Sequence, residues 1–150
     1  MAVSLGGYYA PRCASMEPRL KACIAWGAIW DYQKTWQKRI EAKFNESMSV
    51  PGHHICWILG VDNMHQVLGK LSDYKLDGVV QNMRCPFLIT HGSADEQVPL
   101  EDAKSLLNAS GSLDKTLRVF TPEEGGAQHC QRDYASLAYS EMFDWLIDKL

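Results

Sequence analysis

Ala2-Val3-Ser4-Leu5-Gly6-Gly7 stands almost at the start of the chain, with the spacing of a sharp strand-to-helix turn built around a serine. In a turn of the G-x-S-x-G type the residues two before and two after the serine are forced together and must be small, while the hydroxyl is lifted above the sheet. Ala2 takes the place of the first glycine, Gly6 is the second, and Gly7 loosens the entry to the helix. A bland Gly-Gly turn would produce the same letters. The weight of the reading comes from where the rest of the chain places its strands.

A helix is expected from Leu5 to about Met16. Its first turn leaves backbone N–H groups unpaired beside Ser4, and the positive end of its dipole favours an anion there, so the Leu5 N–H is a candidate oxyanion donor. Pro11 falls too deep for a first turn and predicts a kink or a short first segment. Tyr8, Tyr9 and Arg12 read as packing and pairing residues. Lys21 to Trp26 is a short apolar run bounded by Pro18 and Gly27, suited to a buried parallel strand. Cys85 to Gly92 is the clearest strand, opened by Pro86 and closed by Gly92, and Thr116 to Phe120 is another. Leu100 to Asn108 is a helix with Ala103, Leu106 and Leu107 inward. A last helix runs from about Arg132 to Lys149, with Leu137, Met142, Phe143, Leu146 and Ile147 on its apolar side.

The stretch from about 30 to 80 departs from this alternation. Trp36, Ile40 and Phe44 recur at helical spacing between Asp31 and Asn45, Ser49 to Gly52 breaks the pattern, and His53 to Leu59 follows as a mixed, Trp-containing segment. Met64, Val67, Leu68 and Leu71 then share one side of a helix between Val61 and Leu71. This is expected to be an inserted helical layer. His53, His54, Cys56 and His65 match no zinc spacing, and no carboxylate or cysteine pair completes a site, so they read as satisfied or partly exposed side chains. Neither metal nor cofactor is expected.

With 150 residues and a formal charge of −3, the chain has the length of one domain and lacks the basic footprint of a nucleic-acid binder. No apolar stretch approaches the roughly 20 residues that span a membrane. Its five cysteines form no C-x-x-C pair and read as reduced, mostly buried thiols in a soluble, cytoplasmic protein.

Asp95 falls just past the carboxyl end of the clearest strand, where open α/β sheets carry their chemistry. It could equally cap a turn or the next helix. The loop Thr121-Pro122-Glu123-Glu124-Gly125-Gly126-Ala127-Gln128-His129 leads from a strand end to a histidine ahead of the last helix. Ser4, Asp95 and His129 thus follow one another in the order nucleophile, acid, base, each at a strand's carboxyl end. His129 would accept the Ser4 proton, and Asp95 would orient the imidazole and stabilise its cation.

Four runs carry a resemblance: Ser4-Leu5-Gly6-Gly7-Tyr8-Tyr9-Ala10-Pro11-Arg12, Lys21 to Ala28, His91-Gly92-x-x-Asp95-x-x-Val98-Pro99, and Glu123-Glu124-Gly125-Gly126-Ala127-Gln128-His129-Cys130. Together they resemble one branch of the α/β hydrolases, that of the FrsA-like esterases, the 2,6-dihydroxypseudooxynicotine hydrolase-like enzymes and the fungal hydrolases that shorten polyketides. The resemblance implies Ser4, Asp95 and His129 as the triad, and a helical lid between Trp30 and about Val80. Trp30, Asp31, Trp36 and Trp57 would be candidate pocket residues, although Trp36 and Trp57 serve as well as packing aromatics. The implied reaction is hydrolysis of a C–C bond beside a ketone, or of an ester, in an aromatic or polyketide-like small molecule. Ser4 would act as nucleophile or as polarising group.

Members of the branch carry a long segment before the serine turn, whereas here Met1 stands three residues ahead of Ser4. The strand feeding the turn, its neighbours, and the loop with the second oxyanion N–H are therefore expected to be absent. The expected fold is the C-terminal half of an α/β-hydrolase sheet, parallel strands with flanking helices, plus the inserted lid. Two functions follow. One is a serine hydrolase. The other is an inactive fragment or pseudoenzyme acting as an interaction module, through a homo-oligomer or a partner that completes the exposed sheet edge.

Overall fold

A computed structural model describes residues 1–41 and 52–149. The chain divides into two compact units, Met1–Trp30 with Leu76–Leu150, and Asp31–Lys75.

The first unit is built on a four-stranded, wholly parallel sheet: β1 (Ala2–Val3), β2 (Cys23–Trp26), β3 (Phe87–Gly92) and β4 (Lys115–Phe120), in that spatial order. β2, β3 and β4 lie where the apolar runs predict. The strand feeding the serine turn, expected to be absent, is present as two residues, with Ala2 opposite Ala25 and Val3 opposite Trp26. The ladder continues one step further, because the Ser4 N–H donates to the Trp26 carbonyl at 2.8 Å. Two residues suffice because β2 is already fixed on its other side by β3.

β2 and β3 are buried at every position, as strands covered on both faces must be. Because side chains alternate, Ile24, Trp26 and Leu88 share one face. There they pack with Phe120 against Ala138 and Met142 of α6 (Ala135–Ile147). α1 (Gly6–Met16) and α5 (Leu100–Ala109) supply the remaining helices of this unit.

Some helix details differ from expectation. α1 passes through Pro11 without interruption, since proline removes one intrahelical bond and the flanking turns keep theirs. Phe143 and Ile147 are exposed, so α6 buries Ala138 and Met142 instead, with Leu137 and Trp145 partly covered. In α5, Ala103 and Leu106 face inward, and Leu107 is only half-buried. α6 also starts later than Arg132, because His129–Gln131 forms a separate short 3-10 turn.

The second unit holds α2 (Tyr32–Glu41), α3 (Gly52–Leu59) and α4 (Met64–Lys70). An isolated antiparallel bridge between Asp31 and Lys75 joins its two ends. α2 buries Tyr32, Thr35, Trp36 and Arg39, a proper i, i+3, i+4, i+7 face, and leaves Ile40 exposed. The face is rotated from the predicted one because Arg39 lays its guanidinium over the Trp36 ring, 5.1 Å from its centroid. Phe44 and the helix end at Asn45 lie outside the described residues, as does the break from Ser49.

The five cysteines are all free thiols, but they are not mostly buried: Cys23 is buried, Cys56, Cys85 and Cys130 are half-buried, and Cys13 is exposed. No described helix is long and apolar enough to cross a membrane.

Candidate active site

Ser4 is held with φ of +56°, in the left-handed region that serine occupies only under constraint. The constraint is visible on both sides. A Cβ on Gly6 would lie 2.5 Å from the Ala2 side chain, so the small pair predicted around the serine is a steric requirement. A Cβ on Gly7 would lie 2.0 Å from the Gly27 carbonyl oxygen, so the first turn of α1 presses against the loop after β2. The turn lifts the Ser4 hydroxyl to the carboxyl end of the sheet, with the Leu5 and Gly6 N–H groups ahead of the first turn's bond, Gly7 N–H to Ser4 carbonyl at 2.7 Å.

Two further loops converge on that hydroxyl. The Ser4 Oγ lies 2.9 Å from His129 Nε2, and His129 Nδ1 lies 2.7 Å from Asp95 Oδ2. With the proton on Nδ1 donated to Asp95, Nε2 accepts from the Ser4 hydroxyl. The two loops also bind each other: the Ser93 N–H donates to the Phe120 carbonyl at 2.8 Å and the Ala94 N–H to the Ala127 carbonyl at 2.9 Å. Gly92 and Ala127 approach so closely that a Cβ on Gly92 would lie 2.1 Å from the Ala127 oxygen.

Asp95 makes both kinds of contact that its position suggests. Its Oδ1 caps the turn, accepting from the Gln97 N–H at 2.8 Å and the Val98 N–H at 2.9 Å. Its Oδ2 faces His129. Burial alone would push its pKa up, but the His129 bond and the Val98 N–H outweigh that, and the carboxyl is held below its ordinary range. Burial pulls His129 down, yet its bond to Asp95, helped by the Cys130 thiol beside it, carries its pKa above the usual histidine value.

Sequence reasoning missed two neighbours. Cys130 Sγ lies 3.4 Å from His129 Nε2 and 3.6 Å from the Trp26 carbonyl, on backbone that is itself left-handed with φ of +50°. His91, fully buried at the end of β3, lies with Nε2 3.7 Å from Asp95 Oδ2. The signal for His91 was a polar ring inside an otherwise apolar buried strand, which must find partners.

The other candidates make contacts of their own. The Trp30 N–H donates to Asp102 Oδ2 at 3.0 Å. Asp31 is buried and caps α2, its Oδ1 accepting from the Lys34 N–H at 3.0 Å. Trp36 is buried beside Tyr32, whereas Trp57 is 78% exposed and stacks on His54. His53, His54 and His65 are exposed, Cys56 contacts Met64, and among the described residues no three His, Cys, Asp or Glu group as metal ligands.

Known proteins share this arrangement of strands. A crystal structure of the 2,6-dihydroxy-pseudo-oxynicotine hydrolase superposes with a TM-score of 0.77 at 28% identity, covering 99% of this chain and 38% of that one. The chain corresponds to the C-terminal part of an α/β-hydrolase. Among curated relatives of this α/β-hydrolase chain, the 2,6-dihydropseudooxynicotine hydrolase of Paenarthrobacter nicotinovorans is 31% identical over 153 residues, 98% of this chain and 36% of the relative. The 20-hydroxy-prefusarin hydrolase FUS2 of Gibberella moniliformis is 27% identical over 173 residues, 95% of this chain and 41% of the relative. The chain thus spans 36–41% of the length of these relatives. No family model matches it.

Proposed function

We propose that the chain carries the catalytic serine, acid and base of a hydrolase acting on a C–C bond beside a ketone, or on an ester, in an aromatic or polyketide-like small molecule. The observation that carries this reading is the unbroken series Ser4 Oγ, His129, Asp95, with contacts of 2.9 and 2.7 Å. Relatives named for hydrolysis of a pseudooxynicotine and of a prefusarin support the reaction class and the kind of substrate.

His129 takes the Ser4 proton as Oγ attacks the substrate carbonyl, and Asp95 stabilises the imidazolium without taking its proton. The Leu5 N–H, at the start of α1, donates to the resulting oxyanion. In a β-diketone the bond to the central carbon then breaks, its electron pair leaves on that carbon as an enolate, and the imidazolium returns the proton. Water, activated by His129, releases the acyl group from Ser4 as a carboxylic acid. An ester follows the same path with an alcohol as leaving group.

A panel of p-nitrophenyl acetate, p-nitrophenyl butyrate and 1-phenyl-1,3-butanedione tests the reaction class. Turnover is expected for at least one, with benzoate or acetate as the acid product from the diketone. The rate should rise with pH as His129 loses its proton, with a midpoint above the ordinary histidine value of roughly 6.5. A rate that falls across neutral pH, or no turnover of any of the three, contradicts the proposal.

A second reading rests on β1. Among the described residues it pairs only with β2, so its outer edge offers backbone groups to another strand. A second copy or a sheet-completing partner would cover that edge, and the chain would then serve as an interaction module.

A further inference from the structure

His91 ties together three segments that the triad needs. Its ring is fully buried at the carboxyl end of β3. Nδ1 accepts from the Ala28 N–H at 3.3 Å, so the ring proton belongs on Nε2, which donates to the Val98 carbonyl at 3.0 Å. Val98 is therefore gripped at both ends of its peptide groups: its carbonyl by His91, and its N–H by Asp95 Oδ1 at 2.9 Å. Ala28 follows Trp26, whose carbonyl accepts from the Ser4 N–H at 2.8 Å, and Gly27, whose carbonyl oxygen a Cβ on Gly7 would meet at 2.0 Å. One imidazole thus references the acid loop to the loop against which the serine turn is packed.

We propose that His91 is a positioning residue of this site: through its Nε2–H bond to Val98 and its Nδ1 acceptance from Ala28, it holds the acid loop so that Asp95 Oδ2 meets His129. The inference rests on the triad reading above and names what keeps its acid in place. A bare carboxylate on a loop would swing within its turn, and a misplacement of 1 Å costs on the order of 10²-fold in rate. The Nε2–H also lies 3.7 Å from Asp95 Oδ2, near enough for its dipole to favour the ionised carboxylate but too far for a second hydrogen bond. Burial keeps the ring neutral, with Asp95, Asp102 and His129 as the charged or titrating groups around it. Around His129 stand Asp95, Ser4 and the Cys130 thiol.

The test uses histidine side-chain 15N NMR of the chain, with His91→Asn and His91→Gln. Asparagine keeps an acceptor near Nδ1 and loses the Nε2 donor; glutamine keeps a donor near Nε2. In the parent, His91 should be the neutral Nε2–H tautomer across neutral pH. His91→Asn should lower the His129 titration midpoint and slow fluorophosphonate labelling roughly 10- to 100-fold. His91→Gln should restore the midpoint and most of the labelling rate. A merely structural role would lower the thermal midpoint in both variants and leave the His129 titration alone. An Nδ1–H or charged His91 in the parent overturns the proposal without any variant, as does an unmoved His129 midpoint in His91→Asn. Labelling that survives Ser4→Ala would instead sink the nucleophile reading, and the His129 midpoints would still judge His91.

Discussion

Asp95→Asn is expected to lower the rate of fluorophosphonate capture by about 10⁴-fold, because an amide at this position favours the wrong tautomer of His129. The chain should stay folded, since the asparagine Oδ1 can still accept from the Gln97 and Val98 N–H groups that now bind Asp95 Oδ1. Ser4→Ala should remove capture altogether and lower turnover of a reactive ester by about 10⁶-fold. Its thermal midpoint should change little, because alanine keeps the backbone that donates to Trp26. Measuring capture rate and thermal unfolding on the same samples separates the two effects. Loss of folding together with capture in Asp95→Asn would mean that the carboxylate's main work is the turn, not the imidazole.

The second large effect concerns packing. Gly7→Ala places a methyl group 2.0 Å from the Gly27 carbonyl oxygen, a backbone atom that cannot rotate away. The cost should reach or exceed the ~1–3 kcal/mol of an overpacked core. The damage should also spread, because the displaced Gly27 loop carries Ala28, whose N–H reaches His91. Gly69→Ala is the matched control. It lies within α4 with nothing within 4 Å of its added carbon, so it should stabilise by about 0.4–1 kcal/mol. Chemical denaturation of both variants checks the pair; a Gly7→Ala chain as stable as the parent would contradict the close approach of α1 to the loop after β2.

These contrasts mark what could be read from sequence and what could not. β2 and β3 were legible because both are buried on both faces, and continuous burial leaves continuous apolar runs punctuated by glycine and proline, whereas the two residues of β1 leave no such run. The serine turn was legible because Ala2 and Gly6 are small for a steric reason that acts within five residues. Asp95 and His129 could be picked out from their place after strands, and the fold brings both side chains into one series with Ser4. Helix faces were less so: Arg39 takes an inward position of α2 that hydrophobicity assigns to Ile40, because its charge rests on a tryptophan ring. Phe143 and Ile147 are apolar yet exposed, and no periodicity distinguishes an apolar residue that is covered from one that is not. His91 and the Gly7–Gly27 approach depend on contacts between segments far apart in sequence, and only the fold reveals them.

Activation of Ser4 as a nucleophile can be read by peptide-level mass spectrometry after fluorophosphonate treatment. A covalent adduct is expected on Ser4, within the tryptic peptide ending at Arg12, with the probe's fluoride lost. The adduct should be lost in His129→Ala. A folded chain that carries no adduct, or one that carries it equally in His129→Ala, would mean that His129 does not activate Ser4.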